Sequence, residues 1–388
     1  MYSEEDINSA VAAGALSAEA AADFRTHMSK VRQLPRGSEE NFRLINSFND
    51  IFVSIGVVIL LLAVGAIGQA LAGIISPAAQ FWELPNEISE AEIAAWQAAS
   101  NLKGALTIAL SGLLLAAAAW PLAEFFTRKR RMALPSIILL LAFVGGVFAT
   151  FLGVGVALVE EGNDRLGAIV ISVAALIAAA GAYFHWRRFM VPITVAAGTA
   201  AVAGTVIALI VAVIAPENVS DETVFALIFA AGLAVWFIAM RWDISDRERI
   251  TRRSDVAFWL HLLAAPMIAH PIFVLLGVTE DDNLGVGAAI GVLAVYVGFG
   301  LVALAIDRRA LLVSALVYVL FALTFLFREF GAVELNFALT ALVIGSALLS
   351  LSAFWQVIRR GVVGALPQAM QAKLPATDDI ALSVPAAG

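Results

Sequence analysis

Two histidines and two prolines share one apolar stretch, and they are the residues of this chain best placed to do chemistry. Within residues 256–278, His261 and His270 lie on either side of Pro266, and Pro271 directly follows the second histidine. An imidazole can take up or release a proton near neutral pH. A proline inside a helix leaves the carbonyl four residues earlier without its usual donor. Pro266 would do this to Leu262, and Pro271 to Met267. Titratable rings beside free carbonyls are the materials of an ion or proton path. In an ideal helix the nine-residue separation puts the rings roughly 13 Å apart along the axis, on opposite faces. A proline kink would change that geometry. The structural alternative is that each imidazole hydrogen-bonds a neighbouring helix across a bundle. Two histidines with no cysteine and no third obvious ligand make a poor metal site, and no cofactor motif accompanies them.

The elements that must position these residues are ten apolar runs. They occupy 51–75, 105–126, 134–159, 166–184, 191–215, 224–240, 256–278, 284–306, 310–327 and 333–357. A bilayer span needs roughly 20 residues. Each span must be helical, because lipid offers no partner to an unpaired backbone amide. Hydrophobic residues make up 61% of the 388 residues and charged ones 14%, and mean hydropathy is +0.91. A soluble domain would carry about a quarter charged residues, so the composition predicts an all-α polytopic membrane bundle.

Charge sorts the connecting segments. With the N-terminus placed in the cytoplasm, the inner segments hold 21 of the 24 basic residues, leaving only Lys103, Arg165 and Arg328 outside. The outer loops hold 15 acidic residues against those three. The positive-inside rule therefore predicts that both termini are cytoplasmic, and an odd number of spans would scramble the sorting. The acidic pI of about 5.2 reflects an acidic outer face over a basic inner one, which argues against a nucleic-acid role. Cysteine is absent, which excludes disulfides and thiolate metal sites. The first 40 residues lack an apolar core segment, so the first span is expected to act as the insertion signal. The combination suits a bacterial inner membrane.

Three regions are expected outside the bundle. Residues 1–37 read as a cytoplasmic pair of short helices, the first stopped by Gly14 and the second capped by Ser17, followed by a Pro-Arg-Gly linker. Within 38–358, the bundle, residues 41–52 repeat Phe42, Ile45 and Phe48 at helical spacing. That is the pattern of an interfacial helix or of an extension of the first span. The outer loop 76–104 carries Phe81, Trp82, Trp96 and four glutamates, and Ser89 with Glu92 matches a capping box. Residues 359–388 read as a flexible cytoplasmic tail.

Other polar residues have plainer readings. Glu124 and Arg128 are spaced for an i,i+4 ion pair. His185, beside Trp186 and Arg187, reads as an interfacial anchor. Tyr296 offers a hydroxyl or a packed ring. The acidic groups Glu160, Glu161, Asp164 and Glu280, Asp281, Asp282 could collect divalent cations, but an acidic outer loop needs no such role. The pairs Gly287/Gly291 and Ala200/Gly204 predict close helix contacts. Ten spans could also be five plus five, an arrangement that must be inverted; Pro121 in the second span and Pro266 and Pro271 in the seventh fit it. No nucleophile–base set, phosphate loop or HExxH-type motif is present, which leans against an enzyme.

Four segments resemble a family of predicted bacterial membrane proteins known only as domain of unknown function 2157. They are Ala10-Val-Ala-Ala-Gly14-Ala-Leu-Ser-Ala-Glu-Ala, Glu40-Asn-Phe-Arg-Leu-Ile-Asn-Ser-Phe-Asn-Asp-Ile-Phe52, Ala123-Glu-Phe-Phe-Thr-Arg-Lys-Arg-Arg-Met-Ala-Leu-Pro135 and Trp259-Leu-His-Leu-Leu-Ala-Ala-Pro-Met-Ile-Ala-His-Pro271. They touch about an eighth of the chain. The resemblance implies an inner-membrane helical architecture and brings no activity, ligand or catalytic residue. Two functional classes follow from the sequence. One is a transporter-like bundle for a small solute or ion, with the seventh span lining the path. The other is a non-catalytic envelope scaffold or sensor with a protein partner. In both, the lipid bilayer is the surrounding partner.

Overall fold

The computed structural model describes residues 4–33, 48–77, 89–159, 162–214, 216–247, 249, 251–277, 285–330 and 335–375. Among these residues the fold is all-helical, and ten helices are long and apolar enough to cross a membrane. The helices are α1 (Glu4–Ala12), α2 (Ala18–Gln33), α3 (Phe48–Ile75), α4 (Glu90–Ala123), α5 (Ala133–Leu158), α6 (Asp164–Phe189) and α7 (Ile193–Ile214). They continue with α8 (Asp221–Ser245), α9 (Arg252–Leu275), α10 (Val286–Ile306), α11 (Ala310–Glu329), α12 (Asn336–Gly364) and the short α13 (Gln368–Gln371). Helices α3 to α12 are the ten spans. Gly14, at φ +72°, ends the first turn unit, and the Ser17 hydroxyl accepts from the Ala20 amide at 3.1 Å to start α2. The stretch 38–47, expected to lead into the first span, lies outside the described residues, as do Phe81 and Trp82.

Much of the expected outer loop is helix. Ser89 and Glu92 form the capping box, and α4 runs 34 residues from there to Ala123. At 1.5 Å per residue it is about 51 Å long, against roughly 30 Å of hydrocarbon. Past Pro121 the chain relaxes into a π-helical turn, Glu124–Lys129.

Four tight hairpins organise the bundle: α4 with α5, α6 with α7, α8 with α9, and α10 with α11. All four close at the arginine-rich end, here termed the basic end. Each closing segment contains one non-glycine residue in the left-handed region: Arg131, Met190, Arg249 and Asp307, each at φ 55°. These residues are spaced 59, 59 and 58 positions apart. The hairpins thus recur with one period and one direction, flanked by α3 and α12. The two proline-bearing spans pack differently: α4 lies against its chain neighbours α3 and α5, whereas α9 lies against α8, α11 and α7.

Lipid supplies no hydrophobic drive between helices, so close approach of small residues must hold them. Between α4 and α5, a Cβ added to Gly146 would stand 2.6 Å from the Gly112 carbonyl oxygen, and one on Gly112 would stand 2.7 Å from that of Gly146. Of the expected small-residue contacts, Gly291 stands beside Leu276, 3.5 Å from an added Cβ, whereas Gly287 and Gly204 face open space. Small-residue spacing finds candidates, but only backbone approach decides which are used. Helix α9 is the most enclosed span: 44% of its apolar window is buried, against 33% or less in the others. Its core comprises Leu260, Ala264, Ile268 and Phe273.

Gly146→Ala should lower stability by about 1–3 kcal/mol through overpacking, read as an earlier thermal transition of detergent-purified protein. Single cysteines at Lys129 and Arg253 should react with an impermeant reagent from one membrane side, and those at Glu92 and Glu217 only from the other.

Candidate functional site

Asp243 organises the strongest polar cluster. The apolar run of α8 ends near Met240, but the helix continues to Ser245, which carries Asp243 into the interior at 2% exposure. Its Oδ2 lies 2.8 Å from His261 Nε2 of α9. Arg308, in the turn between α10 and α11, donates from Nη2 to Oδ1 at 2.5 Å and from Nε to Oδ2 at 3.3 Å. The same Nη2 donates to the Ser254 carbonyl at 3.1 Å. His261 and Arg308 are each 3% exposed. A carboxylate and an imidazole from the two helices of one hairpin and a guanidinium from the turn of the next therefore meet out of solvent, with every member partnered.

A second knot adjoins it through the preceding residue, Asp307. Asp307 Oδ2 accepts from Arg249 Nη1 at 2.8 Å, and Oδ1 accepts from the Trp355 indole at 2.7 Å. Arg249 Nη2 also donates to the backbone oxygens of Ile306 and Asp307, each at 3.1 Å. Arg359, fully buried, stands 3.7 Å from Asp307 and donates to the Leu304 carbonyl at 3.1 Å. Asp246 accepts from the Thr251 amide and hydroxyl at 3.0 and 2.7 Å. It thus caps α9, whose N-terminal partial charge favours an anion.

The far end of the chain is held by these arginines. Arg359 Nη2 donates to the Pro375 carbonyl at 2.8 Å, and Arg247 Nε to that of Leu374 at 2.9 Å. Leu374 is buried against Ile306 and Val363. Residues 359–375, read from sequence as the start of a flexible tail, are clamped over the basic end. The rest, 376–388, lies outside the described residues.

The two sequence-selected histidines serve different places. His270 Nδ1 hydrogen-bonds the Tyr318 hydroxyl of α11, and Phe225 of α8 meets its ring edge-on at 5.4 Å. Tyr318 in turn stacks on Phe273 at 4.3 Å. Pro266 and Pro271 lie within α9, which runs through both. One helix therefore carries an Asp–His–Arg cluster toward the basic end and a His–Tyr pair toward the acidic end, with both prolines between or beside them. The histidines do not converge on one ligand.

His185 is a correction. It is no surface anchor but a fully buried ring, 4.5 Å from Phe189, 5.7 Å from Phe143 and 6.1 Å from Trp120. Its Nδ1 lies 3.4 Å from the Thr194 hydroxyl. Helix α6 turns it inward while Arg187 remains at the surface against Tyr183. Glu124 makes its local pair with Arg128 at 3.3 Å and a closer one with Arg188 of α6 at 2.5 Å. Tyr296 packs beside Trp355 and Leu304. The acidic groups Glu160, Glu161 and Glu280–Asp282 lie outside the described residues; among the described ones no group of three His, Cys, Asp or Glu could hold a metal. An open-sided groove of about 610 Å³, with Gly65, Gln69, Thr107 and Ser111 in its lining, lies between α3 and α4, and no histidine lines it.

Sequence reading does not single out Asp243, Asp307, Arg308 and Arg359, because a charge at the edge of an apolar run normally marks the end of a span. The available signal was Asp243 one turn past the apolar run, with four consecutive hairpins of one length. No family model matches the chain, and no curated protein or solved structure matches it.

Removing Asp243 leaves Arg308 buried without its counter-ion. Asp243→Ala should cost about 3–5 kcal/mol by thermal or denaturant unfolding in detergent, and adding Arg308→Met should recover a large part of that loss.

Proposed function

We propose that this multi-pass protein is a transporter-like bundle of a bacterial inner membrane, with both termini cytoplasmic, that moves a small solute or ion along a route lined by α9. The single observation that carries the reading is α9 itself. The most enclosed of the ten spans is also the one that bears two hydrogen-bonded histidines and two internal prolines. Polar groups inside a bilayer are costly and tend to mark substrate or proton routes. In this reading His261 exchanges a proton within the Asp243–Arg308 cluster, and His270 does so with Tyr318. Pro266 and Pro271 weaken the backbone ladder where a helix must flex.

A second reading, a non-catalytic envelope scaffold or sensor, is favoured by α1 and α2. They pack on each other outside the spans, where a protein partner could reach them. The two readings separate by mutation. Membrane vesicles holding wild type, His261→Ala/His270→Ala protein or no added protein are compared for untargeted metabolite and ion uptake. A solute or ion moved by wild type alone supports transport through α9. Equal movement in all three, with the proteins shown to be inserted and folded, overturns it. Loss of function on deletion of residues 1–35, with His270→Ala and Pro266→Ala harmless, would favour the scaffold.

A further inference from the structure

The arginines of the basic end are used unequally. The closing turns of the last two hairpins, residues 241–255 and 307–309, carry a net charge of only +2, and Arg359, Arg360 and Lys373 add three cations in the segment that follows. Arg249, Arg308 and Arg359 are engaged with Asp307 and Asp243 inside the protein. In the first half, residues 124–131 and 187–188 carry a net +5, with Glu124 as the one acid. These two turns are tied side by side by the Glu124–Arg188 pair.

Here the cations face outward. Arg128, Lys129, Arg130, Arg131, Arg187 and Arg188 are all exposed. Arg130 lies 5.4 Å over the ring of Phe125 and Arg187 lies 5.9 Å over that of Tyr183. Phe125, Tyr183 and Phe184 are themselves exposed. Guanidinium groups seated over exposed aromatic rings at the end of a span match the layering of the interface, where rings occupy the headgroup level and cations reach beyond them. Five uncompensated positive charges on two adjoining turns call for a negative partner at that level.

We propose that the basic-end turns of the first two hairpins form a docking surface for the phosphate-bearing headgroup of an anionic phospholipid. Lys129, Arg131 and Arg187 supply the charge, and Arg130 and Phe125 set the depth. The proposal rests on the membrane-embedded reading and is independent of transport.

The test uses full-length protein in detergent, with retained lipid measured by native mass spectrometry after adding phosphatidylglycerol or phosphatidylcholine. Wild type should retain the anionic lipid in preference. Arg128→Gln/Lys129→Gln/Arg130→Gln/Arg131→Gln should weaken that binding about tenfold or more. Lys129→Gln/Arg131→Gln, which leaves the Glu124 ion pairs in place and should unfold at the wild-type temperature, should weaken it less, in the same direction. Arg252→Gln/Arg253→Gln, at the second-half turn, should leave it unchanged. Equal retention of the two lipids by wild type overturns the proposal. So does an unchanged preference in both first-half variants, an equal loss in the second-half control, or displacement of the lipid by inorganic phosphate, which would assign the surface to a free anion.

Discussion

A carboxylate cannot stay ionised in a low-dielectric interior unless its charge is met and its lone pairs are filled. Asp243 satisfies that demand only if α9 and the α10–α11 turn stand where they do, because His261 and Arg308 provide its donors. Arg308 then needs acceptors beyond Asp243 and finds them at Ser254. Its neighbour Asp307 draws in Arg249, Trp355 and Arg359, and Arg359 holds the chain near Pro375. The second half of the bundle is in this sense one electrostatic problem with one solution. A buried network in which each carboxylate meets a guanidinium favours a single arrangement over its competitors.

The first half answers a similar geometry differently. There too an acid on the first helix of a hairpin, Glu124, meets an arginine near the turn of the next, Arg188. Both partners remain partly exposed, and solvent and headgroups screen them, so the pair adds little stability. That half is held by apposed backbones instead, as at Gly112 with Gly146, at Gly153 against Ala109 and at Gly68 against Ser111. Hairpins of one length and direction thus support two packing strategies: small residues in the first pair and buried ions in the second.

The spans were legible in the sequence because a bilayer imposes length and apolarity on every helix that crosses it. The capping box at Ser89 and the break at Gly14 were legible because each depends only on neighbouring residues. His261 and His270 stood out for a related reason, being polar groups inside an apolar run. Their partners did not. Asp243 and Arg308 sit just past the apolar runs, where a charge normally marks the edge of the membrane, and 65 residues separate them. The inward face of His185 was equally hidden, since its neighbours Trp186 and Arg187 have the composition of an interface. Pairings set by helix rotation and by contacts distant in sequence leave no local trace.

The length of α4 gives the acidic face a relief that the other helices do not. About 20 Å of this rod exceeds the hydrocarbon thickness, and α3 accompanies it up to Ala99, whose carbonyl accepts from the Ser76 hydroxyl at 3.4 Å. The projecting segment is anchored at its tip by the Ser89 cap and continuous with a span at its base. It therefore stands as a stiff mast and not as a yielding loop. Among the described residues Glu90 and Glu92 stand at its outer end, and a sideways push on the tip is carried as torque down to the π-helical turn at the opposite end.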